Sequence, residues 1–559
     1  MRIFKSNLSS KNFLAQDSGY AKEYLSQLGS EYEGYKDRPI KELSFSSFAE
    51  YFRSGNRLSY ENEYFHRRTL LRDFALKAWL GDESALGRLE NVMGAVCEER
   101  TWALPAHLGG NINAETIDLF AAETAQTLTE IISLLQEKLS DTVVERCISE
   151  VRRRVLDAFV NRSKPYNWES MKNNWCAVCG GCVGMTVLYL VEDENDIRSI
   201  TDSLKQTFDS YISSFADDGA CLEGLYYWNY GMMYFTAFLD LYKQRMGEDF
   251  PVDTDKVRKM ADFAHKCCIS DGITISFSDG NERDRIYSGL ADKLHEIYGS
   301  SLISNEYLAD FNGDDCGRWC KAVRDIAWTE ETKKSGTNCG NTVLPTAQWA
   351  VLGGDNISVA FKGGSNGEPH NHNDVGNIIV VKNGSVVLCD IGAGEYTADY
   401  FSDGRYNIFC NRSMGHSVPL IIGNEQKTGG GYCARGFFAD GNTAGADISG
   451  AYGIDVLKEC VRTVRCEGDK VEVQDKFTLD SETEITERFI TRHSAVIENN
   501  EVKIIADGKR LGSLITDNAH EIEIKTYTHN EHDGSISDIT AIDFKFAAKG
   551  KYSFLVKIL

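Results

Sequence analysis

The chain has 559 residues, 42% of them hydrophobic and 26% charged. Those proportions are globular and exclude a disordered, collagen-like or disulfide-scaffold chain; at roughly 150 residues per domain, the length suggests two to four domains. The 60 Lys and Arg against 83 Asp and Glu leave a net charge of −23, which repels duplex nucleic acid and acidic membranes, so neither is an expected partner. An anionic ligand would need a locally basic cleft.

At the N-terminus, Met1-Arg2-Ile3-Phe4-Lys5-Ser6-Asn7 leads into polar residues, without the apolar stretch of a secretory signal. No run approaches the ~20 apolar residues that span a bilayer. The expected location is cytoplasmic, or periplasmic or secreted if a leader has been removed, and the 16 Cys are expected to be reduced thiols. Residues 130–139, 143–160, 183–190 and 253–267 carry apolar side chains at helical spacing, with Val257, Met260, Ala261 and Ala264 on one side of the last. No short fixed repeat is present; about ten or more helices without strands suggest paired helices stacked in a ring or superhelix.

The pattern changes after about Asp325. Residues 357–362, 377–382 and 385–390 are short apolar runs, and Asn383-Gly384 between the last two is a hairpin turn signal. Later runs at 471–479, 483–491, 495–505, 521–526 and 552–558 alternate or carry β-branched residues, the rhythm of an antiparallel sandwich. The acidic, Gly-containing stretch 310–336 is the expected boundary. It separates an all-helical domain, residues 1–325, from an all-β domain or domains, residues 326–559.

The densest polar cluster is Glu368-Pro369-His370-Asn371-His372-Asn373-Asp374-Val375-Gly376. In an extended segment His370 and His372 share a face. They suit two metal ligands, or a ligand and a base, and with Asp390 and His416 nearby two His and a carboxylate can make a zinc set, or a manganese set, with an open position; the competing reading of any one of these His is structural. Gly364 followed by His370-x-His372 also opens like a cupin metal motif, but Gly376 and Asn377 stand where a cupin wants its Glu.

In the helical half, residues 217–231 combine Asp217, Asp218, Glu223, Tyr226, Tyr227, Trp228 and Tyr230 with three glycines. Aromatic faces stack on sugar rings and a Tyr hydroxyl moves protons, which suits a glycan-binding wall; an aromatic core stripe is the alternative. Asn173-Asn174-Trp175 and Trp102-Ala103-Leu104-Pro105-Ala106-His107 place polar groups beside aromatics, or are ordinary packing and capping. Cys176, Cys179 and Cys182 share one helical face and read as a buried stripe. No phosphate-binding loop, dinucleotide fingerprint or nucleophile elbow is found.

In this order the motifs resemble the heparinase II/III-like polysaccharide lyases: Trp102-x-x-Pro105-Ala106-His107, Asn173-Asn174-Trp175, Asp218-Gly219, Glu223-Gly224-x-x-Tyr227-Trp228-x-Tyr230-Gly231, His370-Asn371-His372-Asn373-Asp374-Val375-Gly376, Asp390-x-Gly392 and His416-Ser417. The resemblance implies an incomplete (α/α) toroid followed by an antiparallel β-sandwich. It implies β-elimination on anionic uronate-containing polysaccharides or oligosaccharides, with glycosaminoglycan-type chains favoured; a homo-oligomer is compatible with it. Carried over by position, His370 resembles the catalytic histidine and Tyr227 the catalytic tyrosine, with Tyr230 in reserve. Asn174 resembles the amide on the uronate carboxylate, and His372, Asp390 and His416 the ligands of an organising zinc. Trp102, Trp175, Glu223 and Trp228 would line the glycan. Trp175 stands where some members carry a His, a role for which His107 is the candidate substitute.

The chemistry needs such groups. H5 of a uronate is α to a carboxylate, so its removal builds enolate charge that donors must stabilise; a base must reach H5 and an acid the bridging O4. Arg405 and Arg412 are candidates for carboxylate or sulfate recognition, or are loop salt bridges. Two other classes stay open: a glycoside hydrolase using paired carboxylates such as Asp218 and Glu223, and a non-catalytic, metal-stabilised glycan-binding protein.

Overall fold

The structure, a computed structural model, describes residues 3–330, 340–397, 399–402 and 404–559. It divides into two units: Met1–Ser214, Trp228–Ala261 and Arg285–Lys334 form the first, and Phe215–Tyr227, Asp262–Asp284 and Ser335–Leu559 the second. Each unit is thus assembled from separate stretches of chain rather than from one cut near residue 325.

The first unit is helical. Leu119–Leu135 packs against Asn174–Leu190, whose residues from Cys176 to Leu190 are all buried; a helix apolar all round is a core helix. Gly181 permits that position, since a Cβ there would lie 2.7 Å from the Tyr234 carbonyl oxygen. Cys176, Cys179 and Cys182 are fully buried on this helix, as the spacing predicted. The buried Glu130 carboxylate is satisfied by Arg324, the Tyr189 hydroxyl and the Trp319 indole N–H, at 2.7–3.0 Å. The helical run expected at 143–160 is Asp141–Val151 continued through a π-helical turn, Arg152–Leu156, into Asp157–Val160.

The second unit is mainly antiparallel sheet. One five-stranded sheet runs in the order Thr342–Leu344, Trp349–Gly353, Ile357–Lys362, Ile378–Lys382, Ser385–Leu388. Its hairpin turn, Asn383-Gly384, has both residues at positive φ, as a two-residue type I′ turn requires. A ten-stranded sheet is built around two long strands, Lys470–Thr491 and Ile536–Ile558. Val359, Phe361 and Val380 of the smaller sheet share one core with Val473, Phe489 and Phe544 of the larger.

Three expectations are corrected. The runs 471–479 and 483–491 are one strand, with a register shift between Leu479 and Thr483. The run 495–505 is a hairpin, because Asn499 and Asn500 both take positive φ. The helical pattern of 253–267 is present as Thr254–Ala261 and Phe263–Lys266, but the stretch to residue 325 is not all helical: a hairpin follows, Cys268–Ser270 with Ile273–Thr274 around Asp271-Gly272, again both at positive φ. Asp-Gly between β-branched residues is a hairpin signal, and this hairpin belongs to the second unit. Among the described residues the cysteines are free thiols, and no helix is long and apolar enough to cross a membrane.

Candidate active site

The site lies in the second unit and begins with a loop. After Ile357–Lys362 the chain must deliver His370 and His372 before re-entering the sheet at Ile378. Several bonds fix it. The Gln426 side-chain amide pairs with both the N–H and the C=O of Val375, at 2.9 and 2.7 Å. Lys362 and Asp374 form a fully buried pair at 2.7 Å, and Ser413 Oγ donates to the Asn373 carbonyl at 2.6 Å. His370 itself is held at φ +54°, a region that non-glycine residues seldom enter; such positions persist where the surroundings over-determine them.

Asp279 supplies much of that constraint. The loop after the Asp271-Gly272 hairpin carries it, and a close approach sets its place: a Cβ on Gly392, whose φ is +68°, would meet the Gly280 carbonyl oxygen at 2.0 Å. Asp279 is fully buried and lies 2.6 Å from His370 Nδ1 through Oδ2 and 3.0 Å from His372 Nε2 through Oδ1. The Tyr396 hydroxyl donates to Oδ2 at 2.9 Å, and the Tyr400 hydroxyl donates to Oδ1. Burial would raise this carboxyl's pKa, but the hydrogen bonds from the two histidines outweigh it and hold Asp279 well below the usual carboxylate range.

The partner of His370 is Tyr227. Their rings stack with centroids 4.4 Å apart. The Tyr227 hydroxyl lies 2.5 Å from that of Tyr396. Glu223 Oε2 is 3.7 Å from His370 Nε2. Burial opposes a charge on His370, but Asp279, with Glu223, outweighs it and raises the imidazole's pKa; in the neutral ring, with Nδ1–H given to Asp279, Nε2 is the bare nitrogen. An imidazole thus has a phenol ring stacked on it and a carboxylate 3.7 Å from its Nε2.

His372, Asp390 and His416 are buried, with ligand atoms all within 4.8 Å of one another. Both histidines are tied back through Nε2: His372 to Asp279, and His416 to the Cys410 carbonyl at 2.7 Å. That leaves Nδ1 of each as the donor nitrogen, the second-shell pattern of metal-bound histidines. Asn377 orients the Asp390 carboxylate at 2.8 Å. His372 Nδ1 is buried without a hydrogen-bond partner among the described residues, a cost that a metal bond would remove. Two neutral imidazoles and a carboxylate fit zinc.

The other expected residues have distinct surroundings. Arg412 is paired with Glu425 through Nε at 3.0 Å, and through Nη2. Arg405 braces the loop through the carbonyls of Asn371 and Tyr400, and lies 3.6 Å from Asp279. Both guanidiniums are thus engaged by the protein. In the first unit, His107 Nδ1 is 2.6 Å from Asp118, and its ring meets Trp175 edge-on at 4.9 Å. Asn174 opens its helix directly after the capping Asn173. Trp102 and Trp228 are each 1% exposed, with indole N–H groups on the Val96 and Met260 carbonyls; they pack in the core and present no sugar-stacking face. The Tyr230 hydroxyl donates to Glu123, as does that of Tyr234.

Asp279 and Tyr396 escaped the sequence reading. Asp279 sits in Ser278-Asp279-Gly280, which has the composition of any turn, and Tyr396 lies in an aperiodic stretch after Gly394.

No protein-family model matches the sequence, and no curated protein sequence matches it. Solved structures do resemble it. The crystal structure of heparinase III aligns over 100% of this chain and 92% of its own, with TM-score 0.65 and 14% identity. A mutant of the heparan sulfate lyase HepC from Pedobacter heparinus aligns over 99% and 93%, with TM-score 0.62 and 12% identity. The Streptomyces coelicolor A3 chondroitin AC lyase in complex with chondroitin sulphate aligns over 98% and 82%, with TM-score 0.55 and 11% identity. The chain therefore has the fold of heparinase-like polysaccharide lyases.

Proposed function

We propose that the chain is a polysaccharide lyase that cleaves uronate-containing glycans, of glycosaminoglycan type, by β-elimination. The observation that carries this reading is the stacked Tyr227–His370 pair, with His370 anchored on the buried Asp279. Elimination needs one group to accept H5 and one to give a proton to O4, both on the same sugar. His370 and Tyr227, whose rings stack at 4.4 Å, carry two such groups, the imidazole Nε2 and the phenol hydroxyl. As H5 leaves, its electron pair forms the C4–C5 double bond, the C4–O4 bond breaks, and O4 takes a proton, so that one proton is lost and one gained. Asp279 keeps the imidazole in its Nδ1–H tautomer and supports the imidazolium.

A metal on His372, Asp390 and His416 would fix the loops that carry His370, and would add Lewis-acid character if the substrate carboxylate reached it. The names of the structural neighbours favour sulfated glycosaminoglycans as the substrate class.

The test is ultraviolet absorbance by a 4,5-unsaturated uronate when metal-loaded protein meets hyaluronan, chondroitin, dermatan, heparan and alginate, as polymers and as oligosaccharides. A rise on one member establishes elimination and names the class. New reducing ends without that absorbance would instead identify a hydrolase, and silence throughout, from folded protein, would overturn the reading.

A further inference from the structure

Tyr227 has one hydrogen-bond partner at its hydroxyl among the described residues, and that partner is another phenol, Tyr396, at 2.5 Å. Tyr396 has one proton, and it points to Asp279 Oδ2 at 2.9 Å. Its oxygen therefore accepts from Tyr227 while Tyr227 is protonated. Four donors reach the Asp279 carboxylate, from His370, His372, Tyr396 and Tyr400. It keeps three of them if Tyr396 turns away, and the turn needs only rotation about the Tyr396 C–O bond.

The ring that would make this turn is held in place. Tyr396 meets His532 edge-on at 4.4 Å and packs on Tyr400 at 4.7 Å. Its neighbour Glu395 donates its backbone N–H to the Asn530 carbonyl, and Gly394 forms an isolated bridge with Glu531.

Resting on the elimination reading, we propose that Tyr396 is a positioning residue for Tyr227, accepting a hydrogen bond from the neutral phenol and donating one to the phenolate formed during turnover. The need for it follows from the surroundings. Burial and the Asp279 charge both oppose ionisation of Tyr227, and the bond to Tyr396 is what favours it. Whichever way Tyr227 works, giving its proton to O4 or first losing it to become a base, a phenolate must exist beside a buried carboxylate. A charge-assisted O–H···O⁻ bond from Tyr396 is the stabilisation at hand. The balance is local: Tyr227 gives up its proton, the Tyr396 proton moves from Asp279 to the Tyr227 oxygen without leaving Tyr396, and reprotonation of Tyr227 reverses the turn.

The experiment pairs turnover with a signal that does not need it. In the full metal-loaded chain, Tyr396→Phe is expected to lower kcat on the order of 10²-fold, the cost of one lost donor to a developing oxyanion, while KM changes little. With 3-fluorotyrosine at position 227, the same substitution is expected to shift the ¹⁹F resonance of that ring. An unmoved resonance overturns the hydrogen bond. A moved resonance with wild-type kcat overturns its part in turnover. A wild type silent on every glycan overturns the elimination reading and with it any part in turnover, while the resonance still reports the bond, so the two failures are told apart. If the Phe variant does not fold, fluorotyrosine at 396 keeps the ring and the hydroxyl and alters donor strength alone. It must then change kcat while KM holds; an unchanged kcat overturns the proposal.

Discussion

Asp279 joins His370 to His372. One carboxylate oxygen holds His370 Nδ1 at 2.6 Å and the other holds His372 Nε2 at 3.0 Å, so the candidate base and a candidate metal ligand are oriented by one buried group. Asp279→Asn keeps the shape but turns one acceptor into a donor facing an N–H. One histidine must then change tautomer. For His370 that removes the bare Nε2, with an expected loss of about 10²–10⁴-fold in kcat. For His372 it weakens the outer support of a metal ligand, typically 10–100-fold in affinity. Steady-state kinetics and metal titration of the same variant measure both; wild-type values in each would rule out the bridging role.

The metal reading gives its own expectation. Purified protein should carry about one zinc per chain, with manganese as the alternative, in the three-ligand site. Chelation should lower the melting temperature, since any ligand that binds the folded state alone stabilises it. It should also lower kcat more than KM, because His372 reaches His370 through Asp279. His416→Ala should reproduce the chelated state. Elemental analysis showing no stoichiometric metal, with melting and turnover indifferent to chelator, would dismiss the site as a metal centre.

What could be read in advance follows from how each residue is delivered. His370, His372, Asp390 and His416 fall within one stretch of β-rich chain, close enough in sequence to stand out as a group although each alone reads equally as a structural histidine or carboxylate; the three candidate ligands do converge. The Asn383-Gly384 hairpin was legible because two positive-φ residues need that dipeptide. Asp279 was not, since it comes from 91 residues before His370 and from a turn whose composition carries no chemistry. Nor could the sequence separate a sugar-facing aromatic from a core one. Tyr227, Trp228 and Tyr230 are neighbours in the chain, yet Trp228 is fully packed while Tyr227 stacks on His370, a difference of helical phase that the surrounding apolar residues do not reveal.

Two buried carboxyls should each take stability away as pH rises from about 5 to about 7. Asp73 is 1% exposed, and its carboxyl is pushed up to about 7 by burial, against the opposing pull of Arg72. Glu368 is also pushed up to about 7 by burial, against Lys362 and the backbone N–H of Ser365, with Asp374 adding to the rise; its Oε2 is buried without a hydrogen-bond partner among the described residues. Both groups are acids raised on folding, so between their ordinary values and 7 the folded chain holds protons that the unfolded chain has released. Their contribution is complete below the unfolded values and is lost as pH rises through 7. At about 1.4 kcal/mol per pKa unit, each is worth a few kcal/mol at most. Asp73→Asn and Glu368→Gln mimic the protonated forms, and denaturant melts of each should show a flatter fall than the wild type. Curves parallel to wild type would mean that both carboxyls are already ionised at pH 5.

Two tyrosines one helical turn apart should respond to the same substitution in opposite ways. Tyr227 bonds another phenol and stacks on His370, so Tyr227→Phe removes a reacting proton and little packing. Turnover should drop about 10²–10⁴-fold, the usual worth of a positioned acid or base, with the melting temperature close to wild type. Tyr230 instead gives its hydroxyl to the buried Glu123, beneath an Arg318 guanidinium 4.2 Å from its ring. Tyr230→Phe takes one donor from a buried carboxylate, which should cost about 1–3 kcal/mol of stability. The proton-transfer machinery in the second unit stays intact in that variant, so kcat measured below its melting temperature should change far less than in Tyr227→Phe. Kinetics and thermal melts of the pair decide the assignment. If Tyr230→Phe is the stable, inactive one, the reacting phenol belongs to the first unit, and the Tyr227–His370 stack is packing.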